Sequence, residues 1–349
     1  MNIAFIGVGD ISGIYLKNIT GRFSKELKIV GVCDLIREKA EKAAQAYGIG
    51  KIYEDMYEAF ADPQVDIILN ITRPYQHYEV SRQALLAGKH VYSEKPLGAS
   101  LEEGRKLVAL AKEKGLMIGG APDTFLGAGI QTCKKLIDDG YIGRPVAASA
   151  FMLSPGPENW HPDPEFFYKY GGGPMMDMGP YYVTTLAYLL GRVESVMGMT
   201  NISFEERLCT CKAHFGEKVK VEVPTYLTGA MRFESGAVAT ITTSFDVQKS
   251  NLKFIEIYGE KGTLYVPDPN NFGGPVRLYR KEDGEVREMP LLFDYAENCR
   301  GLGLLAMARA IENGDEDFIT SCRRTFHTLD VMTAFQRSSE SGSIVYMEK

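Results

Sequence analysis

Up to about residue 122 the chain alternates short apolar runs with longer stretches of helical period. The runs are NIAFIG, KIVGVC, VDIILNIT, KHVYSEK and LMIGGA, each of strand length. Between them, Arg37 to Tyr47, Gln76 to Ala87 and Leu101 to Lys114 carry the helical pattern. Strand, helix, strand in this rhythm predicts βαβ units and a doubly wound parallel sheet, with helices covering both faces. After Gly140 the pattern changes. Arg144 to Leu153 and Tyr226 to Val266 read as strands, with glycine at the turns in FESGAV and YGEKGTLYV and an Asp-Gly turn in RKEDGEVRE. This half predicts a largely antiparallel sheet, one helix over about Met175 to Leu190, and two late helices around Leu304 to Asn313 and Ser321 to Ser341.

The expected fold class is therefore α/β followed by α+β, with an N-terminal dinucleotide-binding domain over 1–122 and a second domain over 123–349. A chain of 349 residues agrees with two domains, and neither repeats nor low-complexity linkers interrupt it. Formal net charge is -6, and the 39 Lys and Arg are spread without a basic run, so no nucleic-acid partner is expected. No apolar run is long enough to span a bilayer, and the N-terminus lacks a signal-peptide pattern, which places the expectation in the cytoplasm. The six cysteines are scattered. Only Cys209 and Cys211 are close, without the paired spacing of a zinc site, so no metal is expected and buried, reduced thiols are.

The candidate chemistry begins at Gly7-Val8-Gly9-Asp10-Ile11-Ser12, a G-x-G-x-x-S between a strand and a helical segment. Two glycines let the backbone approach a pyrophosphate at a helix N-terminus, and Ser12 is nearly as small as the usual third residue. Asp34 follows the second strand, where a carboxylate binds a ribose diol and repels the extra phosphate of NADP. That favours NAD, although Arg37 keeps NADP open because it could pair with that phosphate. Simpler roles stand beside these: Asp34 as a helix cap, and the glycines as a turn. Glu94 and Lys95 stand at the C-terminal end of a buried-looking strand, on the edge where open α/β sheets bind ligands. A surface lysine before a strand-ending proline, with Ser100 capping the next helix, reads the same residues equally well.

With GVGDIS, Asp34, TRPYQH (Thr72 to His77), AGKHVYSEKP (Ala87 to Pro96) and the GGG to DMGPYY segment, the whole chain resembles the Gfo/Idh/MocA oxidoreductases. The resemblance implies an open-faced sheet domain after the Rossmann domain and a substrate held between that sheet and the nicotinamide. It also implies a role for Lys95 towards both cofactor and substrate, and a cis Lys95-Pro96 peptide. Thr72, Pro74, His77 and Glu94 match positions around the nicotinamide half. A helix-start histidine without ligand contact remains the other reading of His77.

Many members of this family carry Asp-x-Gly-x-His where this chain has Asp177-Met178-Gly179-Pro180-Tyr181. The sugar oxidoreductase and dihydrodiol dehydrogenase branches are similar in having Tyr there. A phenol with a reference pKa of about 10 is a poor base at neutral pH, and a nearby ammonium such as Lys95 lowers it. In a continuous helix Asp177 and Tyr181 share a face, where Asp177 could orient the lysine or the substrate hydroxyl. Helix capping by Asp177 and a core place for Tyr181 are the alternatives. Trp160 and His161, in the loop PENWHPDPEFFYKY, are candidates for stacking on a sugar ring and for acid/base work, against a role in packing the loop. Asn298 and Arg300 are candidates for substrate hydroxyls, capping being the usual fate of such residues. The leading expectation is an NAD-dependent dehydrogenase of a sugar or polyol, forming a homodimer or homotetramer. An NAD-dependent glycosidase and a non-catalytic NAD-binding regulator are the competing readings.

Overall fold

The computed structural model describes residues 1–252 and 254–348. The chain forms two compact units, Met1–Asp123 with Asn298–Leu329, and Thr124–Glu297 with the residues from Asp330 on.

In the first unit, β1 (Asn2–Ile6), β2 (Lys28–Cys33), β3 (Ile67–Asn70), β4 (His90–Ser93) and β5 (Ile118–Gly120) form one parallel sheet in the order β2-β1-β3-β4-β5. Ile3, Ala4, Phe5, Ile67, Ile68, Leu69, Val91 and Tyr92 are wholly buried, as strands covered on both faces must be. The helices of Met1–Asp123 are α1 (Ser12–Thr20), α2 (Arg37–Tyr47), α3 (Met56–Ala61), α4 (His77–Leu86) and α5 (Leu101–Lys114). Helix α5 shows how locally its ends are written. Ser100 accepts the Glu103 amide at 3.2 Å, Glu102 and Glu103 sit in the first turn, and Gly115 closes the helix in a left-handed conformation.

The second unit carries α6 (Ala128–Asp138), β6 (Pro145–Leu153), α7 (Pro174–Asp177), α8 (Gly179–Leu190) and β7 (Val193–Asn201). A two-stranded excursion, β8 (Glu206–Leu208) with β9 (Lys218–Lys220), follows. Next come β10 (Tyr226–Phe233), β11 (Val238–Ser244), β12 (Phe254–Gly259), β13 (Gly262–Val266), β14 (Val276–Arg280) and β15 (Val286–Met289). After α9 (Leu302–Asn313) and α10 (Cys322–Ser341), β16 (Val345–Tyr346) completes a nine-stranded sheet, β15-β14-β13-β12-β6-β11-β10-β7-β16. It is antiparallel throughout except for the parallel pair β6 and β11. The glycine turns expected from FESGAV and from Asp283-Gly284 lie between β10 and β11 and between β14 and β15.

Two expectations need correction. The helix expected over Met175 to Leu190 is broken at Met178 into α7 and α8. Pro180 has no amide to give Met176 and its ring crowds that carbonyl, so the helix cannot run through. The boundary expected between residues 122 and 123 also assigned Asn298–Leu329 to the second domain, yet this stretch packs in the first unit, and the split falls within α10. Asp123 is the physical reason: its Oδ2 accepts the amides of Gly301 at 2.8 Å and Gly303 at 3.0 Å, at the start of α9. Asn18 adds bonds from its side-chain amide to the carbonyls of Asn298 at 3.0 Å and Arg300 at 2.8 Å.

The six cysteines form no disulfide, five being buried and Cys322 half-buried, and Cys299 Sγ accepts Arg22 Nη1 at 2.9 Å. Among the described residues no helix is long and apolar enough to cross a membrane.

Burial pushes the Asp123 carboxyl up to about 6, against the Gly303 amide and the Arg300 charge. An unfolded aspartate titrates near 4. The folded state therefore holds the proton in between, and stability falls as pH rises through this window. Asp123→Asn removes that titration, so its stability relative to wild type should improve by up to about 3 kcal/mol from about pH 4 to about pH 7. Urea unfolding of both proteins at the two pH values checks this, and a constant difference would refute it.

Candidate active site

Parallel strands end on one edge, and this edge collects the first unit's candidate residues. Gly7 to Ile11 follow β1, Asp34 follows β2, Thr72 follows β3, and Glu94 and Lys95 follow β4. The sheet order reverses direction between β1 and β3, the switch point at which such sheets bind ligands. Gly7 has φ 94°, and a Cβ there would lie 2.6 Å from the Ile71 carbonyl oxygen, so no other residue fits without strain. A Cβ on Gly9 would meet nothing within 4 Å, which leaves open space before α1. Helix α1 has no side-chain cap and no acid in its first turn, and its Ser12 amide donates to the Gly9 carbonyl at 3.0 Å.

Asp34 spends one oxygen on the Val8 amide at 2.6 Å and the other on the Ile36 amide at 2.8 Å. It thus fixes the glycine loop and also caps the chain after β2. Arg37, the expected partner of an NADP phosphate, gives its guanidinium to Glu41 at 3.0 Å and Glu54 at 2.6 Å. Leu35 and Ile36, 92% and 53% exposed, present an apolar surface beside Asp34 that sequence reading passed over.

The loops after β3 and β4 are locked together. Asn70, wholly buried, donates to the His77 carbonyl at 3.1 Å and Ser81 Oγ at 3.0 Å, and accepts the Thr72 hydroxyl at 2.7 Å. His77 Nδ1 lies 2.7 Å from the Pro96 carbonyl oxygen and Nε2 lies 3.0 Å from that of Thr72. A neutral ring donates to one carbonyl, and only the protonated ring satisfies both. Burial lowers the His77 pKa below the ordinary histidine value, while both carbonyls and Glu94 act against that shift. Both ring nitrogens thus lie within hydrogen-bond reach of backbone carbonyls, and the neutral ring donates to one of them. Glu94 accepts the Lys95 amide at 2.9 Å and the Tyr15 hydroxyl at 2.7 Å. Burial and the Glu94 charge push the Tyr15 phenol well above the usual tyrosine value, which keeps it a donor. Lys95 is half-buried, and its peptide to Pro96 is cis. Tyr15 and Asn70 carried no motif, so nothing short of the packed structure marked them.

In the second unit the GGG stretch precedes the DMGPYY segment for steric reasons. A Cβ on Gly172 would lie 2.5 Å from the Phe166 carbonyl oxygen, and Gly173, at φ 92°, opens α7. Asp177 ends α7 half-buried, and Tyr181, 7% exposed, lies in the first turn of α8. The single helical face expected to join them is replaced by two short segments. Trp160 is 66% exposed, edge-on to His161 at 5.2 Å and to Phe167 at 6.4 Å between ring centroids. His161 Nδ1 accepts the Asp163 amide at 3.0 Å, so the neutral ring carries its proton on Nε2. Asn298 and Arg300, expected at the substrate, bond each other at 2.8 Å in the first unit, where Arg300 is buried beside Asp123.

A glycine-opened helix start at the switch point, with a carboxylate after β2, is the site of a dinucleotide-dependent oxidoreductase. Residues 1–120 match the oxidoreductase family with an NAD-binding Rossmann fold, and residues 130–265 match the GFO/IDH/MocA C-terminal domain. The chain belongs to the Gfo/Idh/MocA family of NAD-dependent dehydrogenases acting on CH-OH groups. It is 28% identical over 349 residues to scyllo-inositol 2-dehydrogenase (NAD(+)) of Bacillus subtilis (strain 168), covering 99% of this chain and 96% of that one. Similarity to 1,5-anhydro-D-fructose reductase of Ensifer adhaerens is 29% identity over 241 residues, 68% of this chain and 67% of that one. In fold, levoglucosan dehydrogenase in complex with NADH superposes with TM-score 0.83 at 20% identity, over 100% of this chain and 99% of that one.

The residues present fit NAD. The space over Gly9 and the uncapped α1 suit a pyrophosphate, and Asp34 with a neutralised Arg37 suits a ribose diol more than a ribose phosphate. Gly7→Ala should cost about 1–3 kcal/mol of stability, through its positive φ and its contact with Ile71, and should weaken NADH binding. Thermal unfolding with a nicotinamide-fluorescence titration checks both, and an alanine variant of wild-type stability and affinity would refute them.

Proposed function

We propose that this chain oxidises a hydroxyl of a cyclic sugar or polyol with NAD, Lys95 and Tyr181 handling the hydroxyl proton and Asp177 orienting the substrate hydroxyl. The observation that carries the reading is Lys95 itself, half-buried at the end of β4 with its main chain pinned by Glu94, on the edge that holds the glycine loop. Bound NAD supplies the hydride acceptor. The Lys95 ammonium stabilises negative charge on the substrate oxygen, while Tyr181 as the phenolate takes the hydroxyl proton and the phenol so formed returns it in the reverse direction. His161 suits this task less, because its Asp163 bond leaves Nε2 protonated in the neutral ring. The sugar or inositol class rests on the exposed Trp160 ring and on the names of the relatives.

The second unit's sheet leaves Met197, Met199 and Val238 exposed at 52%, 70% and 39%, which supports self-association of the chain through this face. Met199→Lys should then shift the mass measured by light scattering towards the monomer. A monomeric wild type would refute this.

Nicotinamide absorbance with scyllo-inositol, myo-inositol, levoglucosan and 1,5-anhydro-D-fructose tests the reaction. Lys95→Ala and Tyr181→Phe should each lower kcat about 10²- to 10⁴-fold, with NADH affinity kept in Tyr181→Phe. Full activity in Tyr181→Phe would sink the acid/base assignment. Tightly held NAD without net turnover of any cyclic sugar or polyol would move the reading to the glycosidase or regulator class.

A further inference from the structure

The excursion β8–β9 has no place in the reaction as described, yet it holds a buried ionic cluster. Arg207, at the centre of β8, has an 8% exposed side chain. Its Nε donates to Glu158 at 2.7 Å and its Nη1 to Asp246 at 2.8 Å. Nη2 donates to the carbonyls of Pro155 at 2.6 Å and Phe245 at 3.0 Å, and also pairs with Glu158. The guanidinium plane lies 5.7 Å from the Tyr168 ring centroid and 5.4 Å from that of Phe204. Three separate stretches, 155–168, 204–211 and 244–246, meet on this one side chain.

Glu158 is held twice. Its carboxylate takes Arg207 and the Tyr168 hydroxyl, and its carbonyl accepts the amides of Thr210 and Cys211 at 3.0 Å each. Asp246 is held by the Thr225 hydroxyl at 2.7 Å. Beneath lie Phe167, Tyr168, Cys209, Val219 and Phe245, packed as an apolar cluster. Buried charges persist only with their hydrogen bonds satisfied, and this set is satisfied by the planar fork of an arginine, which a lysine does not offer. Just past Glu158 the chain turns, with the amides of Trp160 and His161 both donating to the Pro157 carbonyl, at 3.1 and 2.9 Å. The exposed Trp160 and the half-buried His161 thus rise directly from the clamped residue.

We propose that Arg207 is a positioning residue for substrate selection, setting the Trp160–His161 segment through Glu158 and so deciding which sugar or polyol ring the protein accepts. This inference rests on the reading of Trp160 as the face that meets the sugar. Arg207 itself touches no reacting atom. Its effect belongs on KM and on the choice among rings, and not on NADH binding, which uses the first unit.

Trp160 is the only tryptophan, so intrinsic fluorescence reports on the segment without a label. Arg207→Lys, Glu158→Gln and Trp160→Ala are compared with wild type, using the sugar or inositol turned over in the panel above. The readouts are KM and kcat, the ratio of kcat/KM between two ring stereoisomers, NADH affinity, and Trp160 anisotropy. Arg207→Lys should raise KM about ten-fold with a smaller change in kcat, narrow the stereoisomer ratio, lower Trp160 anisotropy and leave NADH affinity as it was. Glu158→Gln, which keeps an acceptor for Arg207, should fall between it and wild type, and it carries the test if Arg207→Lys does not fold. Folded variants with wild-type KM, ratio and anisotropy would overturn the proposal. If Trp160→Ala alone leaves every KM unchanged, the sugar-face reading fails and takes this proposal with it. If Trp160→Ala raises KM while the two clamp variants do not, the proposal alone fails.

Discussion

Where parallel strands stop, their last amides and carbonyls lose the sheet, and buried ones must find other partners. In the first unit a few polar side chains supply them: Asp34 for the β1 loop, Asn70 and His77 for the β3 loop, Glu94 for the turn after β4, and Asp123 for the start of α9. The loops after β1, β3 and β4 so fixed are those that hold the candidate cofactor residues. Satisfying backbone polar groups and building the site are therefore one requirement at this edge. It also explains why a distant stretch, Asn298–Leu329, belongs to this unit, since Asp123 and Asn18 need its backbone as much as it needs them.

The second unit meets the same requirement with charge. Its long connections leave the sheet and return, and a single guanidinium joins three of them by bonding two carboxylates and two carbonyls. Rigidity in loops that lack secondary structure of their own has to come from such shared partners. The aromatic loop gains a fixed base in this way while Trp160 stays exposed. The break between α7 and α8 serves a similar end: Pro180 forces a restart, so Asp177 closes one short helix and Tyr181 stands in the first turn of the next.

The elements written by local rules were legible. The strands KIVGVC and NIAFI, the helices Arg37–Tyr47 and Leu101–Lys114, and the glycine turns of the second sheet lie where period, caps and turn residues put them. Gly7 and Asp34 were legible because a close backbone approach and a carboxylate at a set distance leave marks in sequence. Arg37, His77, Asn298 and Arg300 were legible as chemistry but not as partners. Arg37 meets Glu54, His77 meets the carbonyls of Thr72 and Pro96, and Arg300 donates to Asn298 beside the buried Asp123. Arg207 and Glu158 left no local mark at all, being 49 residues apart and unremarkable in composition.

By itself the sequence determined the order of elements, the dinucleotide loop, the preference for an acidic residue after β2 and the family, because each depends on residues within a strand or a turn of one another. Only the tertiary structure decided which polar side chains remain for a ligand and which are spent on the fold. Hydrogen-bond capacity is finite, and whether a ring nitrogen or a guanidinium is already committed depends on what the rest of the chain brings within about 3 Å of it.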